Sequence, residues 1–323
     1  MDQQEQIWIN KGKDFFLKKN FVKSLKYFTE AISLNPLNSS IFFERGKVYE
    51  RLKKNNQAFS DYTRAIELNS DFAEAFKNRG DVRNKFQEFE LAIKDYSAAI
   101  KINPKLVNAY NNRGLAKKMI NNLDEAEKDF SVAIDLKPNF ASPYCNRGII
   151  KDMKGDLKGA VQDYTYAIKL NSKFATAYNN RGISREKLKE YELAIADYSK
   201  AIEINKKFAN AYSNRAIVKI EIKEYHSALE DLNMAIEMSP NFAMPYLNRA
   251  VFKLEILKEY ENALKDVNKA IGLNSKYSNA YYQRAIIKNK LGDSEGYKID
   301  INNAADLGHE KSTKLLEEIL KND

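Results

Sequence analysis

Glycine, proline and cysteine are all scarce in this chain. Its 323 residues include 12 glycines, 6 prolines and one cysteine, Cys145. So few glycines and prolines argue against a β-rich protein with many tight turns and against disorder, and they favour a largely helical chain. A single cysteine cannot form an internal disulfide, which is typical of a reducing compartment, and we therefore predict a cytoplasmic location.

Long apolar runs are missing as well. No stretch approaches the roughly 18 apolar residues that a transmembrane helix needs, so we expect no membrane insertion. The N-terminal segment MDQQEQIWINKGKDFF lacks the features of a signal peptide. The net charge is +9, but the lysines are scattered among acidic residues. That distribution is typical of a solvated surface and disfavours nucleic-acid binding, which needs a basic patch.

Residues that could support catalysis do not cluster in the sequence. The only histidines, His226 and His309, lie far apart in the repeat register, and the cysteine and acidic residues form no spacing with them that suggests a metal site. The chain has no glycine-rich phosphate loop and no nucleophile motif. We therefore expect no enzyme activity, no metal site and no cofactor.

What the chain does contain is a repeat with a period of 34 residues. Small residues recur at this spacing, which becomes 35 at the last step: Gly12, Gly46, Gly80, Gly114, Gly148, Gly182, Ala216, Ala250 and Ala285. A row of alanines and a row of aromatic residues keep a parallel register. The predicted repeats are 5–38, 39–72, 73–106, 107–140, 141–174, 175–208, 209–242, 243–277 and 278–308.

Each repeat has the pattern of two short helices. In the fifth repeat, Tyr144 and Gly148 lie one helical turn apart, and so do Ala160 and Tyr164. Turn-forming residues separate the two pairs, beginning at Gly155. Glycine or alanine at the crossing lets the two backbones approach closely, while a large aromatic residue fills the space opposite. The sequence therefore predicts nine helical hairpins.

This pattern resembles the tetratricopeptide (TPR) repeat. Repeat 73–106 carries the full signature, which consists of Phe76, Gly80, Ala92, Tyr96, Ala99 and Pro104. The resemblance covers residues 5–308. It implies an all-α, right-handed α-α superhelix (a TPR solenoid) of nine helix-turn-helix repeats, whose first helices line a concave groove. With a C-terminal capping helix over 309–321, it implies a single domain spanning 1–323.

Two departures from the repeat carry predictions of their own. Repeat 243–277 has one additional residue near Lys258, which we expect to lengthen the turn there. The segment after Gly308 has no partner helix, but it has an apolar stripe with charges opposite, as a capping helix requires. The stripe consists of Leu315, Leu316, Ile319 and Leu320.

An arginine precedes the small residue in eight of the nine repeats, where the family usually has leucine. An aspartate stands sixteen residues further on, or seventeen in the lengthened repeat. Because these positions fall at nearly the same height in an antiparallel hairpin, we predict a structural ion pair in each repeat. The predicted pairs include Arg147 with Asp163 and Arg181 with Asp197. In the first repeat Lys11 and Tyr27 replace both partners together. The alternative is an arginine row for phosphate or acidic ligands, which requires unpaired, exposed arginines.

An asparagine row stands two residues before the small residue. It consists of Asn10, Asn78, Asn112, Asn146, Asn180, Asn214 and Asn248. A primary amide can both donate to and accept from the backbone of an extended peptide. The row resembles the asparagine ladder of the O-linked N-acetylglucosamine transferase repeats, which implies that it faces the groove and holds peptide backbone. The alternative is that these asparagines are merely solvated.

Side chains beside this row are expected to set specificity. They are basic at the N-terminal end, with Lys13 and Lys47, and become apolar toward the C-terminal end, with Met244, Leu247, Val251 and Leu254. Exposed apolar residues in register mark a binding surface, unless neighbouring first helices bury them. We predict an adaptor or scaffold whose groove binds an extended or helical segment of another protein. The alternatives are a structural subunit that docks by its outer face and, less favoured, a polyanion or nucleic-acid binder.

Overall fold

The computed structural model describes residues 3–322, with side chains as far as residue 316. All regular elements in this range are α-helices, apart from one short π-helical segment. No helix among the described residues is both long enough and apolar enough to span a bilayer. The prediction of an all-α chain built from helix-turn-helix repeats is confirmed.

By its internal contacts the chain divides into two compact units, Met1–Leu170 and Asn171–Asp323. The first unit contains five helical hairpins, formed by α1 Gln3–Leu17, α2 Phe21–Leu34, α3 Ser39–Arg51, α4 Asn55–Leu68, α5 Ala73–Lys85, α6 Phe89–Ile102, α7 Val107–Met119, α8 Leu123–Leu136, α9 Ala141–Met153 and α10 Leu157–Leu170. The second contains four hairpins and a closing helix, formed by α11 Ala175–Lys187, α12 Tyr191–Ile204, α13 Ala209–Glu221, α14 Tyr225–Met238, α15 Ala243–Phe252, α16 Tyr260–Leu273, α17 Ser278–Lys290, α18 Ser294–Asp306 and α19 Glu310–Asn322. One continuous domain over 1–323 stays a prediction.

The small residue of each repeat is required by the ring opposite it. A Cβ atom added at Gly148 would lie 2.8 Å from the ring of Tyr164, which is 2% exposed. The six glycines of the row all face a buried phenylalanine or tyrosine in this way. Where alanine replaces glycine, the residue opposite is aliphatic: Leu232 follows Ala216, Val267 follows Ala250, and Ile301 follows Ala285. A larger residue on one helix at the crossing is thus matched by a smaller residue on the other.

The additional residue of the eighth repeat lies in the first helix, not in the turn. Helix α15 continues into a π-helical segment, Lys253–Leu257, and Lys258 then takes the same left-handed conformation as Lys223 one repeat earlier. The prediction of a longer turn is therefore wrong. A π-helical turn takes up one additional residue, which keeps Arg249 bonded to Asp266 across the hairpin at 2.6 and 2.8 Å.

The closing helix α19 packs against α18. Of the predicted apolar stripe, Leu315 and Leu316 are half-buried. The other two members, Ile319 and Leu320, lie outside the residues whose side chains are described. The residue before the helix, His309, caps its first turn, since Nδ1 accepts a hydrogen bond from the Ser312 N–H at 3.2 Å.

Candidate functional site

The arginine and aspartate rows meet in every hairpin where both occur. Arg147 donates from Nε and Nη2 to the two carboxylate oxygens of Asp163, at 2.8 and 2.7 Å. Arg181 and Asp197 form the same two-pronged contact at 2.9 and 2.6 Å. Asp163 is only 3% exposed, and its hydrogen bonds, the largest influence, raise the pKa of Arg147 above the usual value. Such a pair fixes the spacing and register of the two helices.

Each of these arginines is enclosed by further partners. Nη1 of Arg147 donates to the Ser131 hydroxyl of the preceding hairpin at 3.1 Å, and its guanidinium lies over the ring of Tyr144. Asp163 also pairs with Lys151 at 2.9 Å. The arginines are therefore neither unpaired nor exposed, and the alternative of an arginine row for phosphate lacks its required condition.

The first hairpin replaces the ion pair with an aromatic contact. The rings of Trp8 and Tyr27 stack with their centroids 5.3 Å apart. The ammonium of Lys11 lies 5.0 Å from the centroid of Trp8 and 5.6 Å from that of Tyr27. A cation–π interaction thus occupies the place of the salt bridge, which explains why both partners change together.

Three asparagines of the row connect successive first helices. The side-chain amide of Asn146 donates to Asn111 at 2.9 Å, that of Asn214 to Asn179 at 3.1 Å, and that of Asn248 to the Ser213 hydroxyl at 2.9 Å. Their carbonyl oxygens accept no hydrogen bond from the described part of the chain. One end of each amide is therefore structural, and the other remains available to a ligand.

The other asparagines of the row are placed differently. Asn78 donates to the Tyr62 hydroxyl at 3.2 Å and accepts from Lys77, and Asn112 donates to Asp81 at 2.8 Å and accepts from Asn111. Asn180 accepts from Asn179 at 3.3 Å. Asn10 is exposed and accepts from Gln6 at 2.9 Å. The sequence-predicted ladder is therefore not uniform, because both ends of Asn78 and Asn112 are already bonded.

The apolar stretch of the eighth repeat is mostly core. Leu247 is 5% exposed and Leu254 is 2% exposed, and both belong to a cluster with Val267 of the second helix and Ile287 of the next repeat. The prediction that these two residues belong to an exposed binding surface is wrong, and the alternative that adjacent helices bury them holds instead. Met244 and Val251 are half-buried.

Of the two predicted basic residues, Lys13 is exposed and Lys47 is engaged. Lys47 pairs with Glu44 at 2.8 Å, and its ammonium lies 5.5 and 5.4 Å from the ring centroids of Phe16 and Phe43. It lines a concave site of about 550 Å³ in the first unit, together with Glu50, Lys77, Asp81 and other charged residues. Because acidic and basic side chains alternate there and pair with each other, the site has no strong preference for one sign of charge.

The second unit has a concave site that combines apolar and amide groups. A volume of about 600 Å³ is lined by Leu247, Asn248 and Val251 from α15 and by Tyr282 and Gln283 from α17. The start of α19 closes one side of it, where the His309 ring stacks on Tyr282 with centroids 4.3 Å apart. The site thus has an apolar floor beside two side-chain amides, which suits a peptide with one apolar side chain.

Comparisons with known proteins identify the repeat. Family models described as tetratricopeptide repeat match residues 39–72, 107–140 and 175–208, and one described as TPR repeat matches residues 80–120. The chain is a tetratricopeptide-repeat protein. It carries the TPR solenoid fold, which serves in general as a protein-interaction scaffold. No curated protein matches the chain.

Solved structures show the same TPR fold. A tetratricopeptide repeat protein from Parabacteroides merdae is 24% identical, with 74% of this chain and 94% of that chain covered and a TM-score of 0.60. The Cut9-Hcn1 hetero-tetramer of the APC/C is 16% identical, with 87% and 55% covered and a TM-score of 0.63. PilF of Pseudomonas aeruginosa is 18% identical, with 66% and 97% covered and a TM-score of 0.55. These similarities concern the fold alone.

The sequence reasoning missed a row of tyrosine hydroxyls that hold carboxylates on the first helices of the TPR repeats. Tyr62 donates to Glu50 at 2.6 Å, Tyr96 to Asp81 at 2.8 Å, and Tyr198 to Glu186 at 2.7 Å. Burial raises the pKa of all three tyrosines, and the neighbouring carboxylates raise it further. The signal was present in the sequence as tyrosine instead of phenylalanine in repeats that carry an acidic residue on the first helix.

Reactive groups are few in the described part of the TPR protein. No cluster of three histidine, cysteine, aspartate or glutamate side chains suitable for a metal ion occurs among the described residues. Burial raises the pKa of the Cys145 thiol to about 12, which keeps it protonated at neutral pH. Neither observation supplies a group for nucleophilic chemistry.

Proposed function

We propose that this TPR protein is a non-catalytic adaptor that binds a peptide segment of another protein at the concave site of its second unit. The observation that carries the proposal is the convergence of an apolar floor with two side-chain amides, of which Asn248 has only its N–H end bonded within the described part of the chain. Leu247, Val251 and Tyr282 provide the floor, while Asn248 and Gln283 stand beside it. An apolar side chain of the ligand binds the floor, and the amides bind its backbone.

The energetics favour the apolar contact as the source of selectivity. Burying one apolar side chain contributes about 1.5–3 kcal/mol, whereas an exposed lysine contributes less than about 1 kcal/mol. The amides bond to the backbone of any sequence, so they add affinity without selectivity. Lys13 and Lys47 lie in the first unit and are assigned only a secondary, salt-dependent contribution to partner binding.

The test is selection of a random peptide library on the intact protein, followed by affinity measurement with a selected peptide. The double variant Val251→Asp with Gln283→Ala is expected to abolish binding. A matched control changes an exposed leucine and an amide on second helices of the same unit, Leu193→Asp with Asn262→Ala. The control is expected to bind like the unmodified protein.

Thermal melting of both double variants separates loss of binding from loss of folding. If the control loses binding as strongly as the site variant, the outer face carries the interaction and the proposal is wrong. The same conclusion follows if the site variant is folded and retains full affinity.

A further inference from the structure

A second apolar recess lies in the first unit, at the edge where first helices end and second helices begin. It has a volume of about 470 Å³ and is formed by the end of α5, the start of α6 and the end of α7. Its lining residues are Asn84, Lys85, Gln87, Phe89, Leu115, Lys118 and Met119. The recess shares no residue with the site proposed for the second unit.

The floor of this recess is apolar and incompletely covered. Phe89 and Leu115 are half-buried, and Met119 is 57% exposed although it is a large apolar side chain. Methionine is flexible and polarisable, so it adapts to apolar side chains of different shape. Covering an apolar surface of this kind with a partner side chain lowers the free energy.

The polar groups around the floor are basic or accept hydrogen bonds, and no acidic side chain lines the recess. Lys85 is bonded to Glu50 at 2.7 Å. Lys118 is half-buried and has no acidic partner in the described part of the chain. The Oδ1 atom of Asn84 is buried and accepts no hydrogen bond. The charge of Lys118 is thus left for a ligand.

The reason for the free lysine lies in the repeat. At the position of Lys118 the second, fifth and sixth repeats have the acidic residues Glu50, Asp152 and Glu186. In the fourth repeat the buried ring opposite is Phe130, which has no hydroxyl to hold a carboxylate. A cation therefore replaces the acid at this one place in the first unit, beside the exposed methionine.

We propose that this recess binds an acidic, apolar segment of a partner protein. A leucine or phenylalanine of the segment covers Phe89, Leu115 and Met119. A carboxylate one or two residues away pairs with Lys118. The lining of the recess offers lysines and no acidic residue, so its charge is complementary to that of an acidic segment. The pair between Lys118 and a carboxylate favours such a segment over neutral or basic ones.

The test uses three fluorescein-labelled peptides and the full chain. The first alternates glutamate with leucine and phenylalanine, the second has lysine in place of each glutamate, and the third has serine in place of each apolar residue. Fluorescence anisotropy on the full chain carrying Val251→Asp with Gln283→Ala, which disables the site proposed for the second unit, is expected to show binding of the first peptide only. The variant Lys118→Gln with Met119→Ser is expected to weaken that binding at least about tenfold, since it removes one charge pair and one apolar contact.

The matched control is Met153→Ser with Lys290→Gln. It changes the methionine at the equivalent position of the fifth repeat, which is 52% exposed, and an exposed lysine outside the recess. It is expected to leave the affinity within about twofold. Because every chain in this test carries Val251→Asp with Gln283→Ala, failure of the function proposed for the second unit remains distinguishable.

Four results would overturn the proposal. The first is that the acidic apolar peptide does not bind, and the second is that the basic peptide binds equally well. The third is that the matched control loses as much affinity as Lys118→Gln with Met119→Ser. The fourth is that the protein sediments as a dimer and that Lys118→Gln with Met119→Ser converts it to a monomer. The last result assigns the recess to a second copy of this chain. Both double variants are compared with the unmodified protein by thermal melting, and Met119, being exposed, is expected to tolerate the change.

Discussion

Removing the guanidinium of Arg147 tests whether the repeated ion pairs hold the hairpins together. In the Arg147→Ala variant, Asp163 loses two charged hydrogen bonds but keeps Lys151 at 2.9 Å. The Ser131 hydroxyl of the preceding hairpin also loses its donor. The perturbation therefore affects both the hairpin itself and its attachment to its neighbour.

The expected magnitude follows from the burial of the carboxylate. Stranding a buried charge without any partner costs about 3–5 kcal/mol, and leaving a buried polar group unsatisfied costs about 1–3 kcal/mol. Asp163 is 3% exposed but retains one cation. We therefore expect Arg147→Ala to lower the free energy of unfolding by about 1–3 kcal/mol. Replacing both partners by leucine is expected to cost less, because the deeply buried carboxylate is then removed together with its guanidinium.

The assay is urea unfolding followed by far-UV circular dichroism, with the midpoint compared at unchanged slope. The matched control is Arg64→Ala, which removes a surface arginine paired with Glu67 at 3.0 Å, where both side chains are about half exposed. The control is expected to change stability by less than about 1 kcal/mol. If Arg147→Ala unfolds at the same midpoint as the unmodified protein, the ion pairs contribute nothing and the reasoning fails.

Three further predictions concern packing and the closing helix. Gly148→Ala is expected to lower the free energy of unfolding by about 1–3 kcal/mol in urea, because the new methyl group meets the Tyr164 ring. Adding Tyr164→Leu is expected to recover part of this loss, and a double variant no more stable than Gly148→Ala alone would contradict the explanation. Deleting 309–323 is expected to cause aggregation, detected by light scattering, since it uncovers the last hairpin; a monomeric truncation of full stability would be the contrary result. Burial, and secondarily the charge of Lys311, lowers the pKa of His309 below its ordinary value of 6.5, so its capping contribution is present above pH 6.5 and is lost as the pH falls through the lowered value. The hydrogen-exchange protection of α19, taken relative to the intrinsic exchange rate at each pH, is expected to fall at acidic pH in the unmodified protein but not in His309→Asn, and identical profiles would refute the role.

Contacts within one hairpin could be predicted from the sequence, and contacts between hairpins could not. Arg147 and Asp163 are joined by a short connection of fixed length, so their spacing alone brings them together. The amide of Asn146 bonds to Asn111 of the preceding repeat. That contact depends on how closely successive first helices approach, which no spacing within a repeat specifies. The burial of Leu247 was misjudged for the same reason.

The position of the π-helical segment shows a second limit of reading a repeat by its period. The additional residue was visible in the sequence. Whether it lies in the helix or in the turn depends on which of the two has the more strongly constrained conformation. A longer turn would have left both helices regular. Instead, one turn of the first helix is widened to a π-helical turn, and Leu254 stays buried at 2% exposure. The left-handed turn residue is retained at Lys258. The conformation of the turn is therefore a stronger constraint in this hairpin than the regularity of the helix.

Function in a repeat protein is expected where the period is broken on the surface, because the shared residues are already used for the fold. The arginines, the aspartates and the aromatic row are bonded or buried in this way, and even the asparagines use one end of their amides. What differs between repeats is the set of first-helix residues around them. Lys118 stands where the second and fifth repeats have an acid, Val251 stands where the first three repeats have a charged residue, and Gln283 interrupts the asparagine row. These differences separate a basic, apolar recess in one unit from an amide-lined, apolar site in the other, so a single scaffold offers two chemically distinct surfaces to its partners.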